Sequence, residues 1–284
     1  LISSKSDASL IQAKSGSSLD DQADTPNSRG SSEVDRNKST IKKLMQWMYD
    51  EKYSMDSSVF NVLERNQQWN NTLLVIDWTG SMYGYGAEAV LWHVLNEDKS
   101  RIAQCAFFND GDGAKNRKKV LGSTGGIYTT SAMPSASILK TMRKSQRRGS
   151  GGDSPENDLE AIIKACAENP ALEEIILIAD NNSCIRDFIL WEQVKKPVHI
   201  ILCGTKNGVN HQYLNLAWKT GGSIHTKNLD FGNIDQRLQQ DLLIVNDIRY
   251  TLTANNVILP VDRQLNFFGH CNRFYEEPRV RARR

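Results

Sequence analysis

A carboxylate and two hydroxyls occupy alternate positions directly after an apolar run. The run covers residues 73–76, and the polar residues that follow it are Asp77, Thr79 and Ser81. Hard oxygen ligands at a spacing of two can converge on one side of a loop, where they bind a small hard cation. The spacing therefore predicts a divalent-cation site whose first ligands come from this loop.

Two further acids are expected near the same place. Asp180 ends a second apolar run, residues 175–179, and Asp153 lies in the glycine-rich stretch 149–156. Acids at the carboxyl ends of parallel strands meet at one edge of the sheet, where ligands bind in such folds. A structural interpretation stays open for each residue: Asp77 and Asp153 also suit helix caps, and Thr79 and Ser81 suit ordinary turns.

Alternating strands and helices must position these side chains. The predicted strands are residues 72–77, 101–108, 174–180, 198–203 and 223–226, with an edge strand or hairpin within 119–129. The predicted helices are residues 87–96, 134–144, 155–167, 186–194, 212–220 and 234–242. This order predicts an α/β fold of Rossmann-like type, with a central, mostly parallel sheet flanked by helices on both faces.

The composition divides the chain into four segments. Residues 1–35 are polar and lack aromatics, which predicts a disordered leader, and residues 36–69 are expected to form an N-terminal helical extension with a helix over 41–53. Residues 70–243 form the expected main domain. Residues 244–284 are expected to form a hairpin, with strands 247–253 and 256–261, followed by a solvated basic tail.

Charge and hydropathy narrow the classes of partner. The 284 residues include 35 Lys and Arg against 33 Asp and Glu, a net charge of +2, which argues against a nucleic-acid binder. No apolar run reaches the ~18 residues that a transmembrane helix needs. The polar leader and the start at Leu1 rather than Met favour an exported or lipid-anchored protein, whereas cysteines inside strands favour the cytoplasm.

The cysteines and histidines carry little signal. Five widely spaced cysteines predict neither a disulfide framework nor a zinc knuckle. Cys105 and Cys203 lie in apolar runs and are expected to be buried thiols, and Cys184 is expected to be an inert thiol beside the site. His93 and His199 are expected to be core histidines. Asp187 is expected to cap or solvate the helix that follows it.

Four stretches together resemble the von Willebrand factor type A (vWA) domain. The stretch Asp77-x-Thr79-Gly80-Ser81 resembles the first loop of that family's metal-ion-dependent adhesion site (MIDAS). Residues 151–156 (Gly-Gly-Asp-Ser-Pro-Glu) resemble the second loop of a branch in which Asp replaces Thr. Residues 178–181 resemble the third loop, and residues 216–223 resemble the Ala-x-x-Thr-Gly-Gly motif before the last strand. The resemblance spans about residues 70–243.

The resemblance implies a set of metal groups and a function. The metal groups are Asp77, Thr79, Ser81, Asp153 and Asp180, with Mg²⁺ as the expected ion and Mn²⁺ or Ca²⁺ as substitutes. The family implies a non-catalytic protein-interaction domain, acting in adhesion or assembly, whose protein partner presents an acidic residue to the metal. Asp153 departs from the usual Thr, and a third carboxylate could instead satisfy a structural cation internally.

The aromatic residues beside the first loop have two interpretations. Trp78, Tyr83 and Tyr85 could form an exposed rim that anchors a partner, because amphipathic rings often carry binding energy at interfaces. They could equally pack over the site as part of the core.

Two other classes of function stay open. The loop at Asp77 also resembles the nucleophile loop of haloacid-dehalogenase-like, Mg²⁺-dependent phosphohydrolases, with Asp77 as nucleophile, Asp180 and Asp187 as metal ligands and Lys140 as the phosphate-binding cation. Thr79 stands where that family has a second Asp, which counts against this alternative. The third possibility is a structural domain whose metal loop is vestigial.

Overall fold

The computed structural model describes residues 28–50, 56–152 and 154–275. Its helices are α1 (Ser28–Asp50), α2 (Ser58–Arg65), α3 (Tyr83–Leu95), α4 (Ser135–Arg148), α5 (Asp158–Glu168), α6 (His211–Thr220) and α7 (Ile234–Gln239). Its strands are β1 (Thr72–Asp77), β2 (Ile102–Phe108), β3 (Ile127–Ser131), β4 (Pro155–Glu156), β5 (Glu174–Asp180), β6 (Cys184–Ile185), β7 (Val198–Cys203), β8 (Ser223–His225), β9 (Asp230–Phe231), β10 (Ile244–Val245), β11 (Ile248–Leu252) and β12 (Ile258–Pro260). The predictions for residues 1–27, for Asp153 and for the basic tail lie outside the described residues.

A seven-stranded, mostly parallel sheet forms the centre of the protein. Its strand order is β3-β2-β1-β5-β7-β8-β9. Strands β2, β1, β5, β7 and β8 run parallel, while β3 and β9 pair antiparallel at the two edges. All six residues of β1 are buried, as expected for a strand covered on both faces. The predicted α/β fold is therefore confirmed.

Alternate residues of each strand feed two separate cores. Leu73 and Val75 of β1 pack against α5 and α6 on one face of the sheet. Leu74 and Ile76 pack against α1, α2, α3 and α4 on the other face. This division follows from the two-residue period of a strand. It confirms the expected helices on both faces, and it decides which way the side chain of Asp77 points.

The N-terminal helix is longer than the sequence indicates. Helix α1 starts at Ser28, so residues 28–35 are helical and the prediction that the disordered leader extends to residue 35 is wrong. Leu44, Trp47 and Met48 of α1 are buried in the second core and hold the helix in place. Once a helix is anchored, adding residues to its end is far easier than starting one, so the polar residues upstream extend it.

Two predicted helical stretches differ in the structure. Residues 186–194 were expected to form a helix, but the chain forms only a 3₁₀ helix, Phe188–Gln193, in which Phe188 alone is buried. One buried side chain gives no apolar stripe to support a longer α-helix. The helix expected from Pro155 begins at Asp158 instead, because Pro155 and Glu156 form β4 and pair in parallel with β6.

The C-terminal part of the described chain docks on α6. Strands β11 and β12 form the expected antiparallel hairpin. The Asn215 side chain on α6 accepts a hydrogen bond from the Ile258 amide (2.8 Å) and donates to the Ile258 carbonyl (2.9 Å). None of the described helices is both long and apolar enough to cross a membrane.

The Thr-Gly-Gly turn after α6 is required for packing. Gly221 ends α6 in the left-handed region (φ 72°). A Cβ on Gly222 would lie 1.9 Å from the Val198 carbonyl oxygen at the start of β7. Only glycine permits so close an approach of two backbone segments.

Gly222→Ala is expected to lower the free energy of unfolding by about 1–3 kcal/mol, because β7 or the turn must shift to make room. Urea denaturation measures the change. Gly232→Ala is the matched control, since a Cβ at Gly232 meets no atom within 4 Å. Equal stability of Gly222→Ala and the wild type would show that the close approach is not a constraint.

Candidate metal site

The two predicted acids Asp77 and Asp180 end neighbouring strands. Asp77 is the last residue of β1 and Asp180 the last residue of β5. The two strands pair directly in parallel, with Ile76 opposite Ile178. Both carboxylates therefore lie at the carboxyl edge of the sheet, where the sequence predicted a cation site.

Hydrogen bonds connect the loop after β1 to both acids. The Thr79 amide donates to Asp77 Oδ1 at 2.9 Å, and the Ser81 hydroxyl donates to Asp180 Oδ2 at 3.2 Å. The Asn182 amide donates to Asp180 Oδ1 at 2.8 Å. The structure therefore brings together Asp77, Thr79, Ser81 and Asp180.

The glycine-rich loop also reaches this place, although Asp153 itself lies outside the described residues. The Gly80 amide donates to the Ser150 carbonyl at 2.9 Å. Gly151 has a positive φ of 85°, and a Cβ there would lie 3.0 Å from Thr79 Cγ2. A glycine is therefore needed where the second loop crosses the first.

The Asp77 carboxylate is buried and has one oxygen atom available to bind a metal ion. Its side chain is fully buried, and its Oδ2 atom has no hydrogen-bond partner. Burial raises the pKa of Asp77 from 3.8 to about 7; hydrogen bonds from Thr79 oppose the shift, and the negative charges of Asp180 and Asp110 add to it. A buried, unpaired carboxylate oxygen is rare and costly. A hard cation bound at Oδ2 would relieve that cost, so these residues fit a divalent metal.

Three acidic or polar residues near the site were not predicted. Glu156, Asn157 and Asp158 are buried, and each has a side-chain oxygen without a hydrogen-bond partner. Burial raises the pKa of both Glu156 and Asp158 well above the usual range. Glu156 ends the glycine-rich stretch, and Asn157 and Asp158 follow it directly. That position was the available signal, but these residues lie far along the chain from the strand ends that carry Asp77 and Asp180.

Asp187 has a different role from the predicted one. Its carboxylate accepts hydrogen bonds from the Leu159 amide (3.2 Å) and the Glu160 amide (2.6 Å). It therefore caps the start of α5, which precedes it in the chain, and not the helical turn that follows it. Burial raises the pKa of Asp187 to about 7.

The predicted aromatic rim is wrong for two of its three members. Trp78 is fully buried and packs against Trp47, Tyr83 and Phe107, with ring centroids 5.8, 4.8 and 5.5 Å away. Tyr83 is also buried. Trp78 follows Asp77 and so points to the opposite face of the sheet, into the core beneath α1 and α3. Tyr85 alone is partly exposed.

Cys184 is not a free thiol, so that prediction is also wrong. Cys184 on β6 forms a disulfide with Cys271, 87 residues away. Such a distance along the chain gives no local signal in the sequence. The ligand atoms of Cys184, Cys271 and His270 lie within 4.8 Å of one another, but the disulfide leaves no thiolate there to bind a metal. Cys105 and Cys203 are buried thiols as expected.

His93 is a core histidine, as predicted. Its Nε2 donates to the Ala132 carbonyl at 3.1 Å, and its Nδ1 accepts from the Ser100 hydroxyl at 2.7 Å. His199 is mostly buried and bonded to Ser223 Oγ at 2.7 Å.

A chain of polar side chains continues from His199 across the sheet. The Ser223 hydroxyl donates to His225 Nε2 at 2.6 Å, and His225 Nδ1 donates to Asp230 Oδ1 at 2.6 Å. Ser, His and Asp occur here in the order of a nucleophilic triad. Trp69 covers these side chains, however, because its ring stacks on His199 and meets His225 edge-on. Ser223 is 8% exposed. These contacts form a polar network that is buried at Ser223 and His225 and ends at the exposed Asp230.

His225 and His211 are expected to titrate far below an ordinary histidine. Burial lowers the pKa of each from 6.5 to about 4, against the opposing effect of their hydrogen bonds to Asp230 and to the Phe268 carbonyl. Because the folded state favours the neutral rings, their contribution to stability is present above about pH 6.5 and is lost as the pH falls towards 4. NMR titration of the imidazole carbons should show two histidines with pKa near 4.

His225→Gln and His211→Gln should each remove one of these two titrations, which assigns them. A pKa near 6.5 for both residues would contradict the burial of these two rings.

Comparison with known proteins identifies no relative: no protein-family model, curated protein or solved structure matches the chain. The fold and the geometry of the site are therefore the basis for a functional conclusion.

Proposed function

We propose that this protein is a metal-dependent protein-interaction domain of the vWA type, acting in adhesion or assembly. The observation that carries the proposal is the fully buried Oδ2 of Asp77, which has no partner and lies at the carboxyl edge of the sheet. Asp77 and Asp180 would hold the cation, together with the hydroxyls of Thr79 and Ser81 and with Asp153. Mg²⁺ is the proposed ion, since it combines few carboxylates with bound water, and Mn²⁺ or Ca²⁺ could replace it.

The exposure of the loop supports a role in binding a partner. Ser81 is exposed and Asp77 is fully buried. Ser81 would therefore hold the cation at the protein surface, where a carboxylate from a partner protein could also bind it. Of the three aromatic residues predicted to line that surface, only Tyr85 is exposed enough to contribute, because Trp78 and Tyr83 are buried.

A manganese-binding experiment tests this proposal. Mn²⁺ is added to the chelator-treated protein, and the relaxation of water protons is followed as a short glutamate-containing peptide is titrated in at millimolar concentration. The peptide carboxylate should displace water from the bound Mn²⁺ and so reduce the relaxation enhancement. The same peptide with Gln in place of Glu is the matched control and should have no effect.

Two results would contradict the proposal. The first is the absence of any bound Mn²⁺, and the second is an identical effect of the Glu and Gln peptides. Asp77→Asn should abolish the enhancement altogether.

The phosphohydrolase alternative is less well supported by the contacts of its other residues. Asp187, its second metal ligand, is engaged in capping α5. Lys140 is exposed on α4, more than two turns before the end of the helix at Arg148. Hydrolysis of an aryl phosphate by the wild type, with loss in Asp77→Asn, would favour that alternative over the interaction domain.

The disulfide supports a location outside the cytoplasm. Disulfides such as Cys184–Cys271 persist in oxidising compartments and are rare where thiols are kept reduced. We therefore extend the proposal to an extracytoplasmic protein, in which the cation site faces an external or envelope partner.

A further inference from the structure

The disulfide and an exposed histidine meet near the C-terminal end of the described chain. Cys184 lies on β6, and Cys271 lies in the 3₁₀ helix Gly269–Phe274, which also carries His270. Both cysteines are buried, whereas His270 is exposed. One ligand atom from each of these three residues lies within 4.8 Å of the other two. Two sulfur atoms and one ring nitrogen are therefore gathered in one place that solvent reaches from the histidine side.

The spacing of the nitrogen and a sulfur resembles that of two ligands on one metal ion. His270 Nε2 lies 3.7 Å from Cys271 Sγ. A tetrahedral Zn²⁺ with a Zn–S bond of about 2.3 Å and a Zn–N bond of about 2.0 Å holds such a pair roughly 3.5 Å apart. The Cα atoms of Cys184 and Cys271 are 5.4 Å apart, so both sulfurs can reach the same ion once they are no longer bonded to each other.

The surroundings of Cys271 suit a thiolate that binds a metal. The Asn210 side-chain amide donates to Cys271 Sγ at 3.9 Å, and it also donates to the Ser183 carbonyl at 2.8 Å, which fixes its orientation. A donor beside a ligand atom orients that ligand and tunes the metal it binds. Phe268 and Phe274 pack against the two cysteines, and such an apolar shell limits the access of water to the sulfurs.

We propose that Cys184, Cys271 and His270 form a zinc site that replaces the disulfide when the disulfide is reduced. The same two sulfurs serve both states, so the chain holds either the disulfide or the ion. Zn²⁺ is the expected metal because it takes cysteine and histidine ligands in tetrahedral geometry, and water supplies its fourth ligand. This site goes beyond the proposed function and does not depend on the cation site at Asp77.

A dithiol is the reductant that the exchange requires. It transfers two electrons and two protons to the disulfide, so that the S–S bond breaks, two thiols form, and the dithiol itself becomes a disulfide. Zn²⁺ then displaces one proton from each thiol and binds the lone pair on Nε2 of the neutral His270 ring. A small-molecule disulfide reverses the exchange by taking back the two electrons, and the ion is released.

The zinc ion would keep the same parts of the chain joined under reducing conditions. In the oxidised protein the disulfide connects residues 266–275 to β6, and Cys184 follows Asp180 of the third loop by only four positions. Cys166 is a partly exposed free thiol, and such thiols are typical of compartments in which thiols are kept reduced. A crosslink that survives reduction suits a chain with both kinds of cysteine.

Cobalt binding to the full chain tests the proposal. Co²⁺ takes the same nitrogen and sulfur ligands as Zn²⁺, and its thiolate charge-transfer band and tetrahedral visible bands report those ligands directly. The protein is reduced with a phosphine, which becomes its oxide, until the thiol count in denaturant rises from three to five. The reduced protein should bind one Co²⁺ with thiolate bands, and one equivalent of Zn²⁺ should remove them. The oxidised protein should show no thiolate band, and an ion held by oxygen ligands at Asp77 gives none.

His270→Ala is the most informative variant, because His270 is exposed and the variant keeps the disulfide during folding. Loss of even an outer-shell partner costs a metal site about tenfold or more, so loss of this ligand should weaken Co²⁺ and Zn²⁺ binding to the reduced protein by at least about tenfold. Cys166→Ser is the matched control and should bind like the wild type. Equal affinity of His270→Ala and the wild type would overturn the role of His270, and a reduced wild type without thiolate bands would overturn the site.

A stability measurement covers the case in which the reduced chain unfolds. Zn²⁺ should raise the melting temperature of the reduced wild type, because the ion binds the folded state. The rise should be smaller in reduced His270→Ala and absent in the oxidised protein. An equal rise in the oxidised and reduced proteins would place the ion elsewhere and contradict the proposal.

Discussion

Asp77→Asn is expected to stabilise the cation-free protein while abolishing divalent-cation binding. The folded-state pKa of Asp77 is raised from 3.8 to about 7, so folding favours its protonated form. In the absence of a cation, the contribution of Asp77 to stability is greatest below about pH 4 and declines as the pH rises towards 7, where the buried side chain ionises. The ionised carboxylate then opposes folding by an amount on the order of 4 kcal/mol. An Asn side chain carries no charge and can still accept the hydrogen bond from the Thr79 amide.

Urea denaturation at about pH 8, in chelator and in saturating Mg²⁺, measures both effects. Wild type should gain about 2.7 kcal/mol when free Mg²⁺ is at ~100 times its dissociation constant. In chelator, Asp77→Asn should have a higher free energy of unfolding than the wild type, and Mg²⁺ should not increase it further. Asp262→Asn is the surface control and should behave like the wild type. A variant that is less stable than the wild type in chelator would show that Asp77 has an unrecognised structural partner.

Removal of the disulfide is the second change with a large expected effect. The crosslink closes a loop between residues 87 positions apart, and the loss of chain entropy that it imposes on the unfolded state is worth about 4 kcal/mol. The double variant Cys184→Ser, Cys271→Ser should lose stability by that order. The loss should be accompanied by faster hydrogen exchange in residues 266–275, which the disulfide connects to β6.

Cys166→Ser is the matched control, because Cys166 is a partly exposed free thiol. Its stability should stay within about 0.5 kcal/mol of the wild type. A thiol count of five in the native, unreduced protein, or a loss below about 1 kcal/mol in the double variant, would contradict the structural importance of the crosslink.

The strands, and the edge of the sheet at which the site lies, were predictable because they depend on the local pattern of apolar residues. Strands β5 and β7 have the predicted bounds, since continuous apolar runs of this length are characteristic of buried parallel strands. Asp77 and Asp180 were placed correctly because an acid that ends such a run must lie at the carboxyl edge. The pairing of β1 with β5, which brings the two acids together, follows from the topology of the whole sheet.

The remaining features depend on contacts between distant parts of the chain. The Trp78 side chain is covered by α1, and a Cβ on Gly86 of α3 would lie 2.5 Å from its ring. Nothing local to Trp78 indicates either neighbour. Asp187 caps a helix that ends 19 residues earlier, at Glu168. The orphaned oxygens of Asp158 could be recognised only when their surroundings were known.

The most direct test of the cation site is anomalous diffraction from crystals grown in Mn²⁺. A manganese peak is expected within coordination distance of Asp77 Oδ2, on the side of the carboxyl edge that Asp180 and Ser81 share. No peak at this edge in well-ordered crystals that contain saturating Mn²⁺, or peaks only at other acidic residues, would contradict the proposed metal site.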